Sequence, residues 1–324
     1  MTVGITYDLR SEWLAQGYSE LETAELDREE TVDSVESALR VDGFSTERIG
    51  NFRSLTTALA GGKRWDLVFN FCEGMYGLGR EALVPALLDA YRIPYTFSDP
   101  AVLAVCLHKG LTKRVVRDAG VRTPDFAIVE NASDAEKVNL PFPLFAKPVA
   151  EGTGKGVTSR SKISSAGELP DVCRTLLQEY RQPVLVEEYL PGREFTTGII
   201  GTGASAEAVG TMEVVMRDTA EPHAYTYVNK EDCDQRVFYE LARGADAQAC
   251  AELSLSAWRA LGCRDAGRID IRMDPDGRAS FMEVNPLAGL HPKHSDLPII
   301  CTMVGITFQE LIHRIMASAR VRLP

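Results

Sequence analysis

The chain has no CxxC pair, no block of lysines and arginines, and no apolar run long enough to cross a membrane. Each absence excludes something. Its seven cysteines (72, 106, 173, 233, 250, 263 and 301) stand singly, which excludes a disulfide framework and fits buried thiols in a reducing compartment. No basic block offsets the net charge of −11, so a nucleic-acid partner is not expected. The chain runs at once into a short apolar strand, Val3 to Tyr7, rather than a basic region followed by a long apolar one. No signal peptide and no membrane partner are therefore expected, and the location reads as cytoplasmic. Internal repeats and low-complexity stretches are also missing.

What is present is a chain of 324 residues, enough for two or three domains, with 45% hydrophobic and 25% charged residues. Residues 1–100 alternate strand and helix signals. Val3–Tyr7 and Trp65–Phe71 read as strands, Glu29–Val41 and Glu81–Ala90 as helices, and Ile93–Tyr95 as a short extended piece. This βαβ character predicts an open parallel sheet. The polar stretch Tyr18–Glu30 reads as a long loop, a kind that often carries function. Farther on, Phe142–Lys147 and Val157–Arg160 read as strands flanking a Gly-rich loop. Helices are expected near Ala166–Tyr180, Ala247–Leu261 and Phe308–Ala319.

Two C-terminal segments carry the densest chemistry. Gly267–Ile271 and Phe281–Pro286 read as strands joined by a Pro275-Asp276-Gly277 turn. Alternation puts Arg268 and Asp270 on one face, and Glu283 and Asn285 on one face, with Ile269, Ile271, Met282 and Val284 turned to a core. Three hard oxygen ligands beside an arginine suit magnesium and a developing negative charge. Read alone, the same pattern is equally a solvated hairpin. The loop Glu151-Gly152-Thr153-Gly154-Lys155-Gly156 can bring backbone N–H groups to phosphate, although Lys155 is followed by glycine and so makes no P-loop. Lys147 ends the strand before it, and Glu187-Glu188-Tyr189-Leu190 ends another strand in acids, with Glu194 beyond. Gly201-Thr202-Gly203-Ala204-Ser205-Ala206 lies between strands with no helix after it, so it reads as a turn rather than a dinucleotide fingerprint. Pro292 between His291 and His294 argues against a zinc pair.

Taken in order, these pieces resemble an ATP-grasp enzyme of the D-alanine–D-alanine ligase type. The resemblance rests on Ile93–Ser98, Lys109 with Thr112-Lys113, Gly120–Pro124, Lys147-Pro148 with Glu151–Gly154, Glu187–Thr196, Gly267–Asp270, Glu283–Pro286, Gly289 and Ser295. It implies an α/β and α+β protein of ATP-grasp fold, with an N-terminal open parallel domain (1–103), a central lobe with the Gly-rich loop (104–183) and a C-terminal lobe with the metal and substrate site (184–324). It implies ATP and magnesium, two ions sharing Glu283, with manganese as a substitute. Lys109, Lys147 and Lys230 would contact phosphates, and the loop at Glu151, Thr153 and Gly154 would cover them. Glu187 and the backbone of Glu188, Tyr189 and Leu190 would hold adenine, and Glu194 the ribose. Asp270, Glu283 and Asn285 would bind metal. Arg268 and the Gly289 N–H would form an oxyanion hole, and Ser295 would bind a substrate carboxylate. The implied activity is ATP-dependent joining of a carboxylate to an amine through an acyl phosphate. Its partners would be small amino-acid or peptide substrates, in a homodimer. Alternatives are D-alanine–D-alanine ligase itself and a nucleotide-binding regulator without turnover.

The departures from the family's pattern concern the substrate. Glu231 follows Lys230 where the family has tyrosine, and Glu73-Gly74 stands where it has His-Gly. Lys155 adds charge to the Gly-rich loop, and the segment 290–296 is longer and more basic than usual, with Lys293 and His294. Glu25 is the nearest match to the acid that grips the first substrate's ammonium. Glu231, Lys155, Lys293 and His294 together point to an acceptor different from, or more charged than, D-alanine, and Glu25, Glu231, His294 and Ser295 are the candidate substrate contacts.

Overall fold

The structure, a computed structural model, describes residues 1–217, 219 and 236–323. The N-terminal part runs β1 (Thr2–Thr6), α1 (Arg10–Ala15), α2 (Glu29–Val41), β2 (Ser45–Gly50), α3 (Phe52–Ala60), β3 (Leu67–Asn70) and α4 (Leu83–Ala90). Its sheet is parallel, in the order β2-β1-β3, as βαβ connections require. Two helices follow, α5 (Pro100–Leu107) and α6 (Lys109–Asp118), started by the Asp99 and His108 side chains accepting from backbone N–H groups. The central part holds β4 (Phe126–Val129), β5 (Leu144–Pro148), β6 (Lys162–Ile163), α7 (Leu169–Tyr180) and β7 (Val184–Glu188), with an antiparallel sheet in the order β4-β7-β5-β6. The remainder holds β8 (Glu194–Ile200), β9 (Glu207–Met216), β10 (Val237–Leu241), α8 (Gly244–Leu261), β11 (Ala266–Met273), β12 (Ala279–Asn285), α9 (Asp296–Met303) and α10 (Phe308–Arg320). Its antiparallel sheet has the order β10-β9-β8-β11-β12. Among the described residues no single helix is long and apolar enough to cross a membrane.

Several expectations meet their elements within a residue or two, and others need correction. Val157–Arg160 is not a strand: the chain makes a turn there and a 3-10 helix at Ser159–Ser161 before the two-residue β6. The long loop after β1 is preceded by a short helix, α1, whose single buried residue, Trp13, gave too weak a periodic signal to read. The turn at Gly201–Ala206 does join β8 to β9.

Two cores cross the sequence divisions. Val3, Ile5, Val32, Val35 and Leu39 of the N-terminal sheet and α2 pack against Leu297 of α9 and Leu311, Ile312 and Ile315 of α10. The chain's last helices thus cover the first sheet. Likewise Cys106 and Val116 of α5 and α6 pack with Trp258, Phe195 and Ile269 of the C-terminal sheet and α8. A buried carboxylate fastens the seam: Asp265 accepts from the Phe97 N–H (2.6 Å) and from Arg322 (2.7 Å).

The β11–β12 hairpin is paired Arg268 to Asn285 and Asp270 to Glu283, and then the register shifts so that Ile271 faces Phe281. That bulge turns Met282 out of the core, where alternation had placed it, and buries Phe281 instead. At the start of β11 the backbone of Gly267 passes close to its neighbours. A Cβ there would sit 2.5 Å from the Asn285 carbonyl oxygen and 2.6 Å from the Trp258 ring. Gly267→Ala is therefore expected to cost about 1–3 kcal/mol through overpacking. Calorimetry would show a lowered Tm, and an unchanged Tm would refute the close approach.

Candidate active site

The central sheet faces the C-terminal hairpin across a cavity of about 110 Å³ lined by Phe145, Lys147, Glu187, Tyr189, Glu194 and Asp270 among others. Its floor is a charge triad. Glu187 of β7 is fully buried and lies 2.8 Å from Lys113 of α6 and 3.2 Å from Lys147 of β5. Burial alone would raise the Glu187 carboxyl, but the two lysines reverse this and hold it below its ordinary range. Lys113, desolvated on every side, is lowered to about 8 despite Glu187, so all three groups are charged at neutral pH. Lys147 stays raised, because Glu187 and Glu283 more than offset its burial. Tyr189 stacks on Phe145 with centroids 6.3 Å apart and receives Arg272 on its ring, forming a flat wall. The N–H groups of Glu188 and Tyr189 are already committed to the Asp125 and Pro143 carbonyls. Two buried oxygens on this cavity, Thr153 Oγ1 and Glu194 Oε2, have no hydrogen-bond partner among the described residues.

The hairpin brings together the residues that its pattern promised. Asp270 accepts from Thr196 Oγ1 (2.9 Å) and from the Asn285 amide (3.3 Å). Glu283 lies 3.3 Å from Lys109 and 4.0 Å from Lys147. Arg268 Nε lies 3.2 Å from Asp296 and 3.6 Å from Asp270.

A second cavity, of about 300 Å³, opens on the other side of these groups. Lys109, Glu151, Thr153, Arg268 and Glu283 line both, so the two cavities meet at this cluster. Gly289, Asn285, His294 and Ser295 line only the second. Gly289 and Ser295 are adjacent, since a Cβ on Gly289 would lie 2.8 Å from Ser295 Oγ, which also accepts from the His291 N–H (3.0 Å). Glu25 lines this cavity too, but its carboxylate is engaged: it receives Arg80 and the Gly152 N–H, each at 2.5 Å, and Lys155 at 3.2 Å. Burial opposes its ionisation, yet Arg80 and Lys155 bring its pKa down to about 2. Glu25 therefore ties the Gly-rich loop to the N-terminal segment. Lys155, which adds positive charge to the loop, joins Glu25 and Glu151. Lys230 and Glu231 lie outside the described residues.

Comparisons with known proteins agree with this geometry. Residues 115–317 match the family described as D-ala D-ala ligase C-terminus. A D-alanine–D-alanine ligase of Bordetella petrii is 32% identical over 84% of this chain and 80% of its own. One of Xanthomonas axonopodis pv. citri is 30% identical, covering 87% of each. The chain belongs to the D-alanine–D-alanine ligase family. Its fold is ATP-grasp: the ATP complex of the Bacillus anthracis D-alanine–D-alanine ligase superposes with a TM-score of 0.73 at 22% identity, covering 99% of this chain and 98% of that one. The VanG D-Ala:D-Ser ligase of Enterococcus faecalis gives 0.75 at 19% identity, covering 98% and 99%.

As a member of this family the protein is an ATP-dependent ligase that forms a C–N bond. Sequence reasoning assigned no role to Asp27, in the polar loop, or to Arg80 and Glu81, at the start of a helical stretch, because a single charged residue at such a place carries no signal of what it faces. Glu81 is 9% exposed, lines the second cavity and has no hydrogen bond or ion pair among the described residues. Burial, offset in part by Arg80 and reinforced by Glu25, raises its pKa to about 7, against 4.5 ordinarily. A raised carboxylate pKa makes the folded state bind the proton more tightly than the unfolded one. The group therefore weakens stability progressively as pH climbs from about 4.5 to about 7. Glu81→Gln removes that penalty, so its Tm is expected to exceed the parent's at pH 8 and to converge on it below about pH 4.5. Melting curves across that range check it, and an equal gain at every pH would contradict the assignment.

Proposed function

We propose that this enzyme joins the carboxylate of one amino acid or related small molecule to the amine of another through an acyl phosphate. The observation that carries this reading is the meeting of the two cavities at Lys109, Glu151, Thr153, Arg268 and Glu283. A triphosphate on one side and a carboxylate on the other would react across that junction and nowhere else.

The nucleotide belongs in the smaller cavity. Adenine would lie along the Phe145–Tyr189 wall and contact Leu190 and the carbonyls of 188–190, with Glu187 beneath it. The two orphaned oxygens fit this ligand, Glu194 toward a ribose hydroxyl and Thr153 toward a phosphate. Lys109 and Lys147 supply positive charge at the junction, and Lys230 would add to it. Asp270, Glu283 and Asn285 offer three hard oxygens on adjacent strands, a set that fits magnesium and accepts manganese. Bound there, two ions would offset the charge of the phosphates. Arg268 and the Gly289 N–H would hold the oxyanion of the tetrahedral species, and Ser295 and His294 would contact substrate. The Gly-rich loop, fastened through Glu25, would keep water from an acyl phosphate. In this reading the chain divides into lobes at 1–103, 104–183 and 184–324 and works as a cytoplasmic homodimer.

D-alanine–D-alanine ligation is the second reading, supported by the printed names of relatives at 32% and 30% identity. Product analysis with D-alanine as sole substrate separates the two, since absence of the dipeptide removes it. For either reading, magnesium-dependent ADP release is expected with some pair from a panel of amino acids. Arg268→Met should lower kcat by about 10²–10³. An Arg268→Met enzyme with full kcat would sink the oxyanion assignment.

A further inference from the structure

The larger cavity holds more negative charge than it balances. Its other carboxylates each face a cation at ion-pair distance, as described above for Glu25, Glu151, Glu283 and Asp296. Asp27, Glu73 and Glu81 do not: among the described residues their side chains have no hydrogen bond or ion pair, and all three line this cavity. Three of the nearby cations are committed elsewhere, and Arg28, which also lines the cavity, is exposed to solvent. Arg80 donates to the Ala150 carbonyl and to Glu25, Lys109 to the Glu151 carbonyl, and Arg10 pairs with Glu20. Glu81 is more than nine-tenths buried and lines the cavity.

The backbone under Glu73 is fixed. Asp8 accepts from the Gly74 N–H (2.8 Å) and from Cys72 Sγ (2.9 Å), clamping the residues on both sides. Gly74 has a φ of +72° and a Cβ there would lie 2.7 Å from the Arg80 carbonyl oxygen, so the turn admits no other residue without a shift. Glu73 also occupies the place where the family's pattern has histidine. Glu81 is buried and Asp27 and Glu73 are half-buried, and a carboxylate drawn out of water without a cation is destabilised, so a cavity that keeps three together suits a ligand that answers them. Burial and the charge of Glu81 push Glu73 well above the ordinary range, and burial and Asp8 do the same to Asp27. A cationic ligand beside them would favour their ionised forms and pair with them.

We propose that Asp27, Glu73 and Glu81 select a substrate bearing a second cationic group, an ammonium or guanidinium on its side chain, in addition to any α-amino group. This deepens the ligase reading and rests on it for the reaction, though not for the binding. A neutral side chain would leave the three carboxylates desolvated, whereas a cation turns that penalty into ion pairs.

The test compares ornithine and arginine, in both configurations, with norvaline and citrulline as their uncharged counterparts, on the full chain with magnesium. Thermal shift with a non-hydrolysable ATP analogue reads binding, and ADP release reads turnover. The cationic amino acids are expected to raise Tm at concentrations where their counterparts do not, and to exceed them in kcat/KM by at least about tenfold. Glu73→Gln and Glu81→Gln should each lower that cationic-to-neutral ratio by about tenfold or more. The inference is overturned if the uncharged compounds bind as well as the charged ones, or if both variants leave the ratio where it was. Should no amino acid release ADP, the ligase reading fails by itself. A cation-specific shift in Tm that Glu81→Gln abolishes would still uphold the selectivity, and no shift with any cationic compound would end it.

Discussion

Glu187 is the hinge of the electrostatics. A carboxylate with no exposure to solvent is tolerable only beside cations, and it has two, on different elements: Lys113 of α6 and Lys147 of β5. Lys147 in turn reaches Glu283 on β12, and Lys109 reaches it from the start of α6. One chain of alternating charges thus runs from the central sheet to the C-terminal hairpin, across the smaller cavity. Each carboxylate keeps one lysine if the other is lost, whereas removing Glu187 would leave Lys113 buried without a carboxylate partner.

The substrate side is organised by the same rule applied incompletely. Glu25, Glu151, Glu283 and Asp296 have cations within ion-pair reach, and the first two bind the Gly-rich loop to its surroundings. Beside them Asp27, Glu73 and Glu81 have no hydrogen bond or ion pair among the described residues. The contrast is local and falls in the larger cavity, where a second reactant has room. Stability is given up there and recovered across the seams, through Asp265 and the packing of α9 and α10 on the first sheet.

Much of the catalytic hairpin could be read from residues alone. Alternation placed Arg268, Asp270, Glu283 and Asn285 on cavity-facing sides, and the register bears this out. The same rule misplaced Met282, because a bulge is a property of the paired strands rather than of either one. Lys155 shows a different limit. Its place in a glycine loop marked it as added charge, and nothing along the chain showed that Glu25, 130 positions earlier (155 − 25), pairs with it. Domain limits drawn from the order of elements likewise could not show that α5 and α6 share a core with Trp258 and Ile269.

Period, spacing and turn chemistry by themselves determined the parallel start of the chain, the Gly-rich loop after a strand, and the cation–carboxylate–amide hairpin, since each depends on neighbours within about a dozen residues. Which charges neutralise one another was decided only in three dimensions. Ion pairing acts through a few ångströms of space regardless of sequence distance, so Glu187 between two lysines, Glu25 on a distant loop, and three carboxylates unpaired among the described residues had no signature along the chain.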